Sequence, residues 1–219
     1  MTRRSESEGK KRVEGGRDGG RASRPLIRTF VAFMIPTDWT GYLGEVGRDL
    51  AARTSRFSWV KPGNIHITIR FLGDLGEDGV RRVSASVRES AGSAEAPRAR
   101  LGKLGAFPKL EKPRVVWVGL GEGAEAVTSL GKRVNDALKG DGFGPPDKPF
   151  RPHLTLARVR EGAGGLDTLP HAVIPPPPPA AFLDRICVMK SELHPAGARY
   201  TALTEVRLRL PGGSAPTSE

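Results

Sequence analysis

The amino-acid sequence predicts an α+β fold of two pseudo-symmetric lobes. Each lobe is an antiparallel-rich sheet backed by helices, and the two face each other across a central cleft. Three observations carry this expectation. Strand-like and helix-like stretches alternate along the chain. One pattern, His–aliphatic–Thr–aliphatic, occurs twice, as HITI from His66 and HLTL from His153. The copies also sit at matching offsets: His66 follows Ile27 by 39 residues (66 − 27), and His153 follows Val115 by 38 (153 − 115). Self-similarity at a fixed offset indicates internal duplication, here of units around 27–72 and 115–160.

The elements follow in order. LIRTFVAFMI is apolar and β-prone and is stopped by Pro36, which predicts a buried strand. TGYLGEVGRDLAAR places Leu43, Val46 and Leu50 on one helical stripe. NIHITIRFL alternates as a strand does. In EDGVRRVSASVRES, Val80, Val83 and Val87 share a helical face. ARLGKLGAF alternates weakly, and RVVWVGL is a clear strand. GAEAVTSLGKRVNDALKG carries Val127, Leu130, Val134 and Leu138 at helical spacing, with Gly140 suited to the position that ends a helix. PHLTLARVR is a strand, Pro175 to Pro179 a stiff polyproline connector, and AFLDRICVMKSEL and YTALTEVRLRL are closing strands.

The 219-residue chain is long enough for a proper core, and its 37% hydrophobic and 27% charged residues are ordinary for a globular protein. Residues 1–24 contain one large aliphatic side chain, Val13, too little to offset the entropy of ordering, and are expected to form a disordered basic tail. Residues 25–210 are expected to form the bilobal domain and 211–219 a flexible end. No run of about 18 apolar residues exists, so no membrane span is expected. Cys187 is the only cysteine, which excludes an internal disulfide and a cysteine-based zinc site and points to a reducing cytoplasm. The net charge of +11, of which the tail supplies +4 (eight Lys and Arg against four Asp and Glu), favours a polyanionic partner such as RNA or a nucleotide.

Side chains alternate across a strand, so His66 shares a face with Thr68 while Ile67 and Ile69 point to the core. By the same rule His153 pairs with Thr155 over Leu154 and Leu156. No carboxylate or cysteine stands beside either histidine, so a catalytic metal is not expected. Two imidazoles across a cleft suit general base and general acid together, because both protonation states are accessible near neutral pH. In-line displacement at phosphorus needs one proton taken and one given on opposite sides. The two threonine hydroxyls would hold the non-bridging oxygens.

The pieces IRTFVAFMIP, FSWVKPGNIHITIRFLGDL, GAFPKLEKPRVVWVGL, KPFRPHLTLARVR and SELHPAGARYTALTEVRL, in that order, resemble the 2H phosphoesterases. The resemblance is to their RNA 2′,3′-cyclic phosphodiesterase branch, also called LigT/ThpR-like or 2′-5′ RNA ligase. It implies an enzyme that opens 2′,3′-cyclic phosphates at RNA ends or on nucleotides to leave a 2′-phosphomonoester. It implies His66 as proton donor, His153 as proton acceptor, and Thr68 and Thr155 as phosphate holders. It also implies a base-stacking role for Phe71 and a phosphate grip for Arg158. No cofactor is expected, and the chain is expected to be a monomer. Two other readings stay open: 2′-5′ joining of RNA ends such as tRNA halves, or a non-catalytic nucleotide- or RNA-binding module.

Strict alternation puts Phe71 and Arg158 on the face opposite the histidines, so a strand end or bulge is needed to re-aim them. Alternation puts Arg70 on the His66 face as a further phosphate or RNA contact. Lys61 and Arg151 are expected near the cleft mouth. Trp59, Trp117 and Cys187 are expected in the core, and His171 and His194 in structural roles.

Overall fold

The computed structural model describes residues 25–53, 57–110, 112–159, 175–195 and 197–212. The expected tail at 1–24, His171 and residues 213–219 lie outside the described residues.

Ten strands and three helices organise the described chain: β1 (Ile27–Phe33), α1 (Thr37–Arg53), β2 (Phe57–Trp59), β3 (Ile67–Leu75), α2 (Glu77–Ala91), β4 (Arg98–Ala99), β5 (Leu101–Lys109), β6 (Lys112–Leu120), α3 (Ala124–Leu138), β7 (His153–Val159), β8 (Ala181–Phe182), β9 (Arg185–Glu192) and β10 (Arg199–Arg207). The main sheet runs β10-β9-β1-β3-β7-β6-β5, with β2 on β7, while β4 and β8 form a separate pair. All pairings between these strands are antiparallel.

β1 lies between β9 and β3 with both faces covered, which is why its sequence is apolar almost throughout. Val31 and Phe33 enter the main core, and Phe30 and Ala32 a smaller cluster with Cys187 and Met189. The main core collects the apolar stripes of all three helices against one face of the sheet. Leu43, Val46 and Leu50 come from α1, Val83 and Val87 from α2, and Val127, Leu130, Val134 and Leu138 from α3, as their spacing requires. Within this core Trp39, Phe33, Phe57 and Leu43 are almost fully buried. Each such side chain contributes about 1.5–3 kcal/mol relative to exposure. The helices thus back one face and leave the other for the site.

α1 passes so close to the turn before β3 that a Cβ on Gly44 would stand 2.9 Å from the Pro62 ring. The polyproline run, Pro175–Pro179, is strapped to the same helix. The Tyr42 hydroxyl donates to the Pro175 carbonyl at 2.7 Å and Trp39 Nε1 to the Pro179 carbonyl at 3.4 Å.

Two details differ from the sequence expectation. β2 is a short strand that FSW did not announce. α3 does not stop at Gly140: a π-type turn, Lys139–Phe143, continues it, and the left-handed residue is Gly142 (φ 85). The cause is tertiary, because the carbonyls of this turn and of Gly144 are taken by distant arginines. Arg82 donates to the Asp141 carbonyl, and Arg70 to those of Phe143 and Gly144 at 2.6 and 2.8 Å.

Candidate active site

β3 and β7 meet at one ladder pair, Ile67 with Leu154. This pair joins the β10-β9-β1-β3 half of the sheet to the β7-β6-β5 half. Stepping one residue either way in antiparallel register sets His66 across from Thr155 and Thr68 across from His153. Cβ atoms directly opposite are about 4.5–5.5 Å apart, and diagonal neighbours about 7–8 Å at most. The two motifs therefore stand side by side about a local two-fold axis through the Ile67–Leu154 pair. Ile67 and Leu154 are fully buried on the helix side, while all four polar side chains are half-buried on the other.

Each histidine is oriented in the same way. His66 Nδ1 lies 2.8 Å from the Asn64 carbonyl, and His153 Nδ1 lies 2.7 Å from the Arg151 carbonyl. A carbonyl only accepts, so each Nδ1 carries the proton and each neutral ring presents an unprotonated Nε2. The environments differ. His66 stacks on Phe30 (centroids 4.9 Å) and meets the edge of Tyr200 at 5.4 Å. His153 meets Phe107 edge-on at 5.2 Å and Trp117 at 6.2 Å. Burial, against the opposing effect of the Asn64 hydrogen bond and with help from nearby His153, brings the His66 pKa down to about 4.

The placement of the other expected residues turns on a duplicated irregularity. β1 pairs Ala32 with Thr68 and then Val31 with Arg70, passing over Ile69. β6 pairs Trp117 with Thr155 and then Val116 with Ala157, passing over Leu156. One extra residue in β3 and one in β7 restart the alternation a step late. Phe71 therefore pairs with Phe30 on the histidine face, is 58% exposed, and lies 5.6 Å from the Phe30 ring. Arg158 emerges on that face of β7, exposed, paired with Val115 on one side and Ser58 of β2 on the other.

The same bulge overturns the expectation for Arg70. It turns to the helix side, 6% exposed, and binds the carbonyls after α3 rather than facing the cleft. Trp117 also departs from expectation. It lies half-buried on the histidine face, over Gly105 and Gly119, and a Cβ on Gly105 would come within 2.4 Å of its ring. Trp59 packs against the main core as expected, and Cys187 is buried with its thiol pKa raised to about 11, first by burial. Lys61 and Arg151 are exposed beside the turns that precede the two motifs. His194 lies in the β9–β10 connection.

Sequence reasoning missed Phe30, Phe107, Trp117, Tyr200 and Asn64 as parts of the site. For Trp117 a signal was available in the glycines that leave room for its ring, Gly119 two positions on in β6 and Gly105 opposite it in β5. Among the described residues, no group of three or more His, Cys, Asp or Glu side chains gathers where a metal ion could be held.

A sheet whose halves each present the same imidazole–hydroxyl pair defines a duplicated two-histidine scaffold. The chain belongs to the LigT like Phosphoesterase family, which matches it twice, over residues 35–117 and 118–200. It is 41% identical over 125 residues to an RNA 2′,3′-cyclic phosphodiesterase of Aeropyrum pernix, covering 56% of this chain and 68% of the relative. It is 33% identical over 197 residues to the protein of that name in Thermus thermophilus, covering 84% and 91%. Its fold matches the crystal structure of TT0787 of Thermus thermophilus with a TM-score of 0.66 at 28% identity, covering 84% of this chain and 98% of that one.

Proposed function

We propose that this chain hydrolyses 2′,3′-cyclic phosphates at RNA ends or on small nucleotides, leaving a 2′-phosphomonoester. The observation that carries the reading is the juxtaposition of the two motifs across the Ile67–Leu154 pair, each with its Nε2 free. The relatives' activity supports the substrate class.

In this mechanism Thr68 and Thr155 donate to the non-bridging oxygens and hold phosphorus between the rings. His153 Nε2 takes a proton from water as the water oxygen bonds to phosphorus. The P–O3′ bond breaks, and imidazolium His66 gives its Nε2 proton to O3′. The product carries a 2′-phosphate and a 3′-hydroxyl. Burial disfavours charge on His66, and the bound phosphodiester anion counters it by favouring the imidazolium. Arg158, re-aimed by the bulge, supplies a bidentate grip on phosphate, and exposed Phe71 a face on which the terminal base stacks. No step uses a metal or cofactor.

We take residues 25–210 as the functional unit. It acts as a monomer, since one chain supplies both halves of the site, and in the cytoplasm, which suits its free thiol. No described helix is long and apolar enough to cross a membrane.

The test is purified protein with EDTA and a short RNA ending in a 2′,3′-cyclic phosphate, with the products separated by chromatography. Accumulation of the 2′-phosphate with chelator present is expected. Loss of turnover with chelator overturns the metal-free mechanism. Efficient joining to 5′-hydroxyl RNA, or tight binding without turnover, overturns the hydrolase reading.

A further inference from the structure

Both histidines are oriented by the backbone carbonyl two residues upstream, so that interaction does not depend on which side chain the upstream residue carries. The two positions nevertheless differ. Arg151, before His153, is exposed. Asn64, before His66, is half-buried, and its Nδ2 donates to the Ala198 carbonyl at 2.7 Å, across 134 residues of sequence. Ala198 lies in the connection between β9 and β10, immediately before Arg199 and Tyr200 open β10. The Tyr200 ring meets His66 edge-on at 5.4 Å and Phe30 at 5.0 Å.

One asparagine therefore touches the His66 surroundings in two ways. Its carbonyl fixes Nδ1 of the ring, and its amide grips the segment that brings Tyr200 against the ring's edge. The turn Pro62–Asn64 that presents it is closed by bonds of its own, from Asn64 N to the Lys61 carbonyl at 2.8 Å and from Ile65 N to the Pro62 carbonyl at 3.0 Å. On the far side, Gly197 N donates to the His194 carbonyl at 2.9 Å, and Gly197 has φ 104, a conformation that favours glycine. Two short turns are thus held face to face by the Asn64 side chain.

We propose that Asn64 is a positioning residue, whose side chain ties the β9–β10 connection to the turn before β3 and so holds Tyr200 against His66. Among the described residues, the second half of the site has no counterpart to this tie. The consequence is an asymmetric pair in which the ring and surroundings of His66 are held and dehydrated, while His153 depends on its carbonyl contact and its aromatic wall. Two histidines with one motif are thereby held in different ways, and the tie's part in the reaction is to fix the position of the His66 ring.

Loss of the tie admits water beside His66. The titratable groups facing His66 are His153 from β7 and Tyr200 from β10, and no carboxylate acts on it among the described residues. Hydration therefore raises the titration midpoint of His66 from its buried value of about 4 toward the ordinary imidazole value.

The proposal rests on the two-histidine reading of the site. It is tested on the full chain with Asn64→Ala, which removes the donor, and Asn64→Asp, which keeps the shape but places an acceptor against the Ala198 carbonyl. Steady-state rates on a nucleoside 2′,3′-cyclic phosphate and an NMR titration of the histidine rings are read on the same samples. In both variants kcat is expected to fall about ten- to a hundredfold, as small misplacements of reacting groups do, with KM held within about twofold. In Asn64→Ala, which adds no charge beside the ring, the His66 midpoint rises above about 4.

Gly197→Ala, which strains the opposite turn and leaves Asn64 in place, must give the same pair of changes. It replaces the Asn64 variants if they do not fold. Wild-type kcat in Asn64→Asp, or a fall in kcat with the His66 midpoint unmoved, overturns the proposal. If the wild-type chain turns over no cyclic phosphate, the functional reading fails instead, and the titration alone still decides whether Asn64 governs His66.

Discussion

His66 and His153 share a motif and a backbone contact, yet they stand in different surroundings. The stacked Phe30 ring and the Tyr200 edge take water away from His66, and the second imidazole lies close by, so its protonated form is disfavoured. This has a consequence for stability. In the unfolded chain His66 binds a proton below about 6.5, while in the folded chain it binds one only near about 4. Between those values the unfolded state holds more protons, so stability is lost as pH falls from about 6.5 toward about 4. His66→Asn is expected to weaken that acid dependence, which urea unfolding at a series of pH values would show.

A bound anion acts in the opposite sense. Inorganic phosphate in the site is expected to raise the His66 midpoint above about 4, visible in a histidine NMR titration. For the reaction itself, His66→Ala and His153→Ala are each expected to lower kcat/KM by about 10²- to 10⁴-fold, the usual worth of a positioned acid or base. Retention of full activity by either variant would remove that histidine from the mechanism.

Strands β3 and β7 do more than carry the motifs. In each a surplus residue directly follows the threonine, Ile69 in β3 and Leu156 in β7, and thereby returns the fifth residue after the histidine to the histidine face. In β3 the same device turns Arg70 away, where its guanidinium binds the Phe143 and Gly144 carbonyls and anchors the connection that leads to His153. Arg70→Met leaves those half-buried acceptors unpaired. A loss of about 1–3 kcal/mol in chemical denaturation is expected, with a smaller effect if water replaces the guanidinium. On the opposite wall Trp117 occupies the space above Gly105. Gly105→Ala must push that ring aside, and a cost of about 1–3 kcal/mol is expected in thermal unfolding, together with a lower rate as the wall beside His153 shifts.

At the scale of the whole described chain, three helices cover one face of the main sheet, and the other face gathers both motifs where its halves meet. The net charge of +11 gives the chain a long-range field that favours anions. Counterion release makes such binding depend on salt in proportion to the phosphates engaged. The value of kcat/KM is therefore expected to fall more steeply with ionic strength for an RNA oligomer than for a mononucleotide 2′,3′-cyclic phosphate. Equal slopes would mean that only the terminal phosphate is held.

The paired histidines and threonines, the three helical stripes and the apolar central strand were legible along the chain, because each is a matter of local spacing. The stripes of α1 and α3 bury the side chains their periods single out, α2 buries Val83 and Val87 but leaves Val80 half-buried near its N-terminus, and β1 reads as apolar because both its faces are covered. Faces beyond the threonines were not legible. A surplus residue in a strand inverts every later side chain, and whether it is accommodated depends on the register of a neighbouring strand far away in sequence. Phe71 and Arg158 reached the histidine face and Arg70 left it for that reason, while Trp117 became the wall because β5 leaves its ring room opposite. The tie from Asn64 to Ala198 is of the same kind: it joins residues 134 apart, and no local pattern encodes a contact that exists only once both turns have folded together.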